Sequence, residues 1–123
     1  MLLTTALACL ALNVYWEARD QPLVGQFAVA EVTLNRVKSE NYPNNVCDVV
    51  TQKDQFSWYW DGKSDVPKEK DAWKTALFVA KASLNGAKVT SLDDSTHYHA
   101  DYVVPNWSKK MAKKGIINNH IFY

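Results

Sequence analysis

The chain opens on an apolar run, Met1-Leu2-Leu3-Thr4-Thr5-Ala6-Leu7-Ala8-Cys9-Leu10-Ala11-Leu12. It passes without a loop into Asn13-Val14-Tyr15-Trp16-Glu17-Ala18-Arg19, and no Lys or Arg occurs before Arg19. A segment this apolar must be hidden from water. It is shorter than the roughly 18 residues that span a bilayer. A secretory leader would carry a positive n-region, which this run lacks, although cleavage near Ala8 or Ala11 would remove the first helix. The run therefore reads as a buried helix of about fifteen residues, with Thr4 or Thr5 near its N-cap. A fold built round such a helix needs further apolar faces to enclose it.

The rest of the chain supplies them. Asp20-Gln21-Pro22 stops one helix and starts another, with Pro22 suited to a first helical position. Leu23, Phe27, Ala30, Leu34 and Val37 then recur at spacings of four, three, four and three, one face of a helix ending near Ser39 or Glu40. Asn41-Tyr42-Pro43-Asn44-Asn45 is a turn cluster, and Val46 to Thr51 reads as a short helix. Gln55-Phe56-Ser57-Trp58-Tyr59-Trp60-Asp61-Gly62 reads as irregular or as a short strand. Pro67 to Asp71 opens a helix whose apolar face is Trp73, Leu77, Ala80 and Leu84, with Gly86 as terminator after Asn85. Tyr98 to Val104 carries β-formers around Tyr102 until Pro105-Asn106 breaks it. Ile116-Ile117 and Ile121-Phe122-Tyr123 are short β runs around Asn118-Asn119. The expectation is one α+β domain over residues 1–123, mostly helical, with a small antiparallel β element in its C-terminal half.

Composition narrows the function. Hydrophobic residues make up 47% and charged residues 22%, which is globular and not disordered. The 14 basic and 13 acidic residues leave a net charge of +1, so nothing points to nucleic acid as a partner. Two cysteines, Cys9 and Cys47, are too few for a disulfide scaffold or a Cys-rich zinc site. They form one bridge or remain two buried thiols. Five Trp and six Tyr exceed what so small a core requires, and such rings suit the flat apolar faces of sugars.

Glu17 is the first candidate for chemistry. Val14, Tyr15 and Trp16 precede it, and a carboxyl held against aromatic rings is disfavoured as an anion. Such a group can donate a proton near neutral pH, as glycosidic cleavage requires. The competing reading is an ion pair with Arg19 or a later Lys. Ordinary glycosidases use two carboxyl groups. Asp20, Glu31, Glu40, Asp54 and Asp61 are available, but spacing picks out none, which fits a mechanism with one. His97 and His99 would point the same way on a strand, and with His120 or Asp101 could hold a metal. Polar cleft lining or structural hydrogen bonding accounts for them as well, and no metal is expected. Cys47, before Val49-Val50, reads as a core residue rather than a nucleophile. Lys109, Lys110, Lys113 and Lys114 read as a solvated surface rather than a contact to an anionic polymer.

Seven segments in series carry a resemblance. Tyr15-Trp16-Glu17-Ala18-Arg19, Gly25-Gln26-Phe27-Ala28-Val29-Ala30, Asn35-Arg36-Val37, Tyr42-Pro43-Asn44-Asn45-Val46-Cys47, Gln55-Phe56-Ser57, Thr96-His97-Tyr98-His99-Ala100, and Trp107 with Asn119-His120-Ile121-Phe122-Tyr123 resemble the SleB/CwlJ-type cell wall hydrolase family. The resemblance covers nearly the whole chain. It departs at Asp20-Gln21 and Asn118-Asn119, where the family often carries glycine. It implies a lysozyme-like, lytic transglycosylase-like fold, peptidoglycan glycan strands as substrate, and Glu17 as the single catalytic carboxyl. With that substrate, Gln55, Tyr98 and His99 would orient N-acetyl and hydroxyl groups, and Phe56, Trp58 and Trp107 would offer stacking surface. The expected protein is a monomer without cofactor, made in the cytoplasm and delivered to the wall by lysis machinery, a virion or another export route. The rival readings are a hydrolysing muramidase with a second carboxylate, a metal-dependent wall amidase, and a non-catalytic glycan-binding module.

Overall fold

A computed structural model describes residues 5–52, 55–88 and 92–123. Its elements run α1 (Ala6–Ala18), α2 (Leu23–Lys38), α3 (Val46–Val50), α4 (Ser57–Trp60), α5 (Lys70–Leu84), β1 (Tyr98–Ala100), a 3-10 turn (Asn106–Lys110), β2 (Gly115–Ile117) and β3 (His120–Phe122). The strands form one antiparallel sheet in the order β1-β3-β2.

The opening run is the core helix that its composition demands. The Thr5 hydroxyl caps α1 by accepting the Ala8 N–H at 3.1 Å. Thr4, the other candidate cap, lies outside the described residues. Cys9, Leu10, Ala11, Leu12 and Val14 are fully buried against α2, α3 and α5. The two cysteines are joined, so the disulfide fastens the first turns of α1 to α3. The Tyr15 hydroxyl accepts the N–H groups of Lys68 and Glu69, both at 3.1 Å, which gives the start of α5 the cap its own side chains do not provide.

The expected face of α2 is only part of the truth. Gly25 to Thr33 are all buried, because α2 runs between two cores. Phe27 and Ala30 face the large cluster shared with α1, α3 and α5. Ala28 and Val32 face a second cluster with Leu92 and Phe122, which fixes the sheet to the helices. Leu23, placed on the apolar face by periodicity, is 48% exposed because it sits in the first turn, beyond either core.

Three further expectations are corrected. Residues 57–60 are helical rather than extended, and Trp58 anchors that turn by donating its Nε1–H to the buried Asn13 Oδ1 at 2.8 Å. The inner face of α5 is Ala76, Val79, Ala80 and Ser83, whereas Leu84 at the helix end is exposed. Small residues there let α5 approach α1 closely. The strand from Tyr98 stops at Ala100, and Tyr102 is 82% exposed. β-formers without a strand to pair with do not make a ladder. The hairpin at Asn118-Asn119 forms as expected, with Asn118 at a positive φ of 53° that asparagine tolerates in a two-residue turn. Gly86, at φ 98°, terminates α5.

Candidate active site

The last turn of α1 carries Glu17 out of the core and toward the sheet. The register of the sheet decides what meets it. Tyr98 on β1 pairs with Phe122 on β3, and Phe122 is locked against α2 by its burial. That placement brings the Tyr98 hydroxyl onto Glu17, where it donates a hydrogen bond to Oε1. A second contributor comes from α2. Arg36 is a charged residue buried to 6% exposure, and four neighbours hold it. Its Nε–H donates to the Thr96 carbonyl at 2.8 Å, and its Nη1 donates to Gln55 Oε1 at 3.2 Å. Its guanidinium carbon stands 5.1 Å from the Tyr42 ring centroid and 5.2 Å from that of Phe56.

This setting tunes protonation. Burial raises the Glu17 carboxyl above its ordinary range, and the Tyr98 hydrogen bond and the Arg36 charge only partly offset that. Burial, with the Glu17 charge and the hydrogen bond to it, pushes the Tyr98 phenol well up, so Tyr98 remains a neutral donor. Burial and then Arg36 lower His97, which keeps its ring neutral at pH 7. The outcome is one carboxyl inclined to hold its proton, next to a neutral donor and a fixed cation that can receive the carboxylate once the proton leaves.

The other sequence candidates fall into two groups. Gln55 is exposed and reaches the site through Arg36. Phe56, 3% exposed, lies in the core with Arg36 over its ring. Trp58, 5% exposed, is likewise in the core. His99 is on the opposite face of β1 from Tyr98. Its Nδ1 donates to the Ala100 carbonyl at 2.7 Å, and its Nε2 accepts from the Tyr123 hydroxyl at 2.9 Å, so both ring nitrogens are engaged within the protein. Trp107 is half-buried on that same face, with ring centroids 4.9 Å from His97, 5.7 Å from His99 and 5.2 Å from Tyr123.

The histidines do not converge. His120 pairs with Ala100 and packs on Tyr98 at 5.4 Å, on the face away from His99. The groups that shift Glu17 besides its burial are Tyr98 and Arg36. Asp20 and Glu40 are exposed, and Asp54 lies outside the described residues. Glu31 is about 140° round α2 from Arg36 at 100° per residue, and it lines a small cavity with Lys38 and Ser83. Asp61 belongs to a different flank of α1. In the sequence Arg36 stands only among the segments of the resemblance, Tyr42 there and in a turn cluster, and His97 reads as a metal ligand, polar cleft lining or a structural residue. The available signal was Arg36 itself, flanked by the apolar-face positions Leu34 and Val37, where a charge is rarely buried without a purpose.

Comparison with known proteins adds a family. The profile of the Cell Wall Hydrolase family matches residues 20–123, a span that begins three residues after Glu17. The spore cortex-lytic enzyme of Halalkalibacterium halodurans is 34% identical over 116 residues, 92% of this chain and 33% of that protein. The spore cortex-lytic enzyme of Oceanobacillus iheyensis is 43% identical over 109 residues, 89% of this chain and 38% of that protein. The chain thus spans about a third of the length of the curated relatives it matches. The catalytic domain of the germination-specific lytic transglycosylase SleB from Bacillus anthracis superposes with a TM-score of 0.76 at 30% identity, covering 95% of this chain and 92% of that one. The catalytic domain of Bacillus cereus SleB gives 0.75 at 30% identity, covering 95% and 88%. The expected class, mostly helical and lysozyme-like with a small antiparallel sheet, is the one these domains share with this chain.

Proposed function

This chain belongs to the cell wall hydrolase family, and on that footing we propose that it is a lytic transglycosylase of peptidoglycan with Glu17 as its catalytic carboxyl. The observation that carries the reading is the state of Glu17. It is a carboxyl raised by burial, bonded by Tyr98, with Arg36 as a charge that acts on it.

The chemistry follows from that state. Protonated Glu17 gives its proton to the oxygen linking N-acetylmuramic acid to N-acetylglucosamine, and the bond to C1 breaks with oxocarbenium character. The Glu17 carboxylate left behind is held by the Tyr98 hydroxyl and the Arg36 charge. It then takes the proton of the muramic acid's own C6 hydroxyl while that oxygen closes on C1. The product is a 1,6-anhydro sugar, and Glu17 is protonated again. An intramolecular hydroxyl has an effective molarity that water at the site does not match, so no second carboxylate is needed to position water. Gln55, fixed by Arg36, offers an amide to substrate. Tyr98 serves Glu17 rather than the sugar. His99 and Trp107 support the β1 wall of the site.

Mass spectrometry of fragments released from purified peptidoglycan tests the reading. Wild type is expected to leave 1,6-anhydromuramic ends, and Glu17→Gln to release none. Reducing ends that disappear in the variant would keep Glu17 but replace transglycosylation by hydrolysis. Equal release by both proteins would remove Glu17 from the chemistry. The place of action that goes with the proposal is the bacterial cell wall.

A further inference from the structure

On the other flank of α1 lies a cleft of about 460 Å³, lined by Trp16, Arg19, Asp61, Lys63, Asp65 and Lys68 among others. At 100° per residue, the face formed by Trp16 and Arg19 is about 130° round the helix from Glu17. The cleft is therefore separate from the Glu17 carboxyl yet only one helix width from it.

Its walls are built rather than casual. The Trp16 indole is fixed by its Nε1–H, which donates to the Asp65 carbonyl at 3.0 Å. The Arg19 guanidinium lies over the Tyr15 and Trp16 rings, 5.4 and 5.2 Å from their centroids. Its Nε is 3.5 Å from Glu69 Oε1, an ion pair without a hydrogen bond. Among the described residues, the terminal nitrogens of Arg19 make no hydrogen bond. An immobilised fork with free donors suits a carboxylate. The opposite need exists nearby. Asp61 and Asp65 face the same space, and burial, with the Asp61 charge after it, raises the Asp65 carboxyl. A ligand ammonium beside Asp65 would favour its charged form, adding to the lysines that already line the cleft. A ligand that meets both demands carries carboxylates and an amine on a short backbone.

We infer that this cleft binds the peptide stem carried by the muramic acid, an inference that rests on the glycan-cleaving role proposed above. The dimensions agree. A stem of four extended residues spans roughly 13–14 Å, and an α-helix with its side chains is about 10–12 Å across. A glycan strand on the Glu17 flank can thus send its stem past the end of α1 at Arg19 and into the cleft. Carboxylates meet Arg19, the free amine meets Asp61 and Asp65, and apolar side chains rest on Trp16.

Titration of the full chain with a free stem tetrapeptide tests this, followed by the indole N–H resonances of Trp16 and Trp107. The expected result is a saturable shift at Trp16 and none at Trp107. Arg19→Gln and Asp65→Asn should each weaken binding about tenfold, the usual scale for losing a charged hydrogen-bond partner. Acetylating the peptide's amine should weaken it similarly. Matching backbone spectra for the variants show that they are folded. No saturable shift at Trp16, or an affinity indifferent to both the variants and the blocked amine, would overturn the inference. A Trp16 shift produced by Mg²⁺ alone and not by the peptide would overturn it too. Failure here with an inactive Glu17→Gln removes the peptide site and leaves the catalytic reading. Peptide binding alongside an active Glu17→Gln does the reverse.

Discussion

Tyr98→Phe is the sharpest probe of how Glu17 is tuned. The substitution removes one oxygen and keeps the ring that packs 5.4 Å from both Phe122 and His120, so the sheet stays intact. What is lost is the hydrogen bond that favours the Glu17 carboxylate and opposes the effect of burial. A hydrogen bond to a charged group contributes about 1.5–3 kcal/mol, and Glu17 is only half-buried, so the lower figure applies. At 1.36 kcal/mol per unit, the loss corresponds to about one pH unit. Glu17 must be protonated to act as the acid, so activity falls on the alkaline side as it ionises. The variant holds its proton more strongly, and that alkaline limb moves up by about one unit. The carboxylate formed at bond cleavage also loses its partner, and kcat at the optimum drops by up to about tenfold. Both are read from pH profiles of anhydromuropeptide release. A profile that superposes on wild type, or a limb that moves toward acid, would refute the account of Tyr98 as the residue that steadies the Glu17 carboxylate.

Other expectations follow from the same contacts. Burial places the folded pKa of Glu17 above its ordinary value of 4.5. Its contribution to stability is therefore intact below that value and is lost as pH rises through the folded pKa. Glu17→Gln, inactive on glycan, should thus gain melting temperature over wild type at pH 7, with the gain shrinking toward pH 4. Reducing Cys9–Cys47, which closes a loop with a separation of 38, should cost about 4 kcal/mol by the chain-entropy relation. Calorimetry in reductant should then show a melting point lower by about 15 °C. Asn13 is fully buried, donates to Thr33 Oγ1 at 3.1 Å and accepts from Trp58. Asn13→Ala strands the Trp58 indole and opens a void, for an expected loss of about 2–4 kcal/mol in denaturant melts.

The parts of this molecule legible in its sequence are those ruled by local pattern. The apolar opening read as a buried helix in preference to a cleaved leader, and its aromatic end offered Glu17 as a carboxyl partly out of water beside the rival reading of an ion pair. Asn118-Asn119 between β runs specified a hairpin. What local pattern could not supply was partnership across distance. Trp58 stands in a helical turn because Asn13, distant in sequence, offers an acceptor. Val103 and Val104 favour strands but have no strand to join. Phe56 and Trp58 looked like sugar platforms because ring content says nothing about which face is already covered. Arg36 escaped because its role depends on four neighbours brought in from Tyr42, Gln55, Phe56 and Thr96. Periodicity found one face of α2 where two exist, since enclosure on both sides leaves no polar stripe to set the phase.

The enclosure of α2 also bears on how such a chain can diverge. Nine successive residues, Gly25 to Thr33, have no outlet to solvent, and both cores read them at once. A change at Val32 must be matched in the sheet, and one at Ala30 in α1 or α5, so drift there requires paired steps. Residues 61–66 and 101–104 carry less of that obligation and can change singly. Natural variation in those two stretches is then where lineages can alter what they grip without rebuilding the scaffold, while α2 keeps the record of common descent.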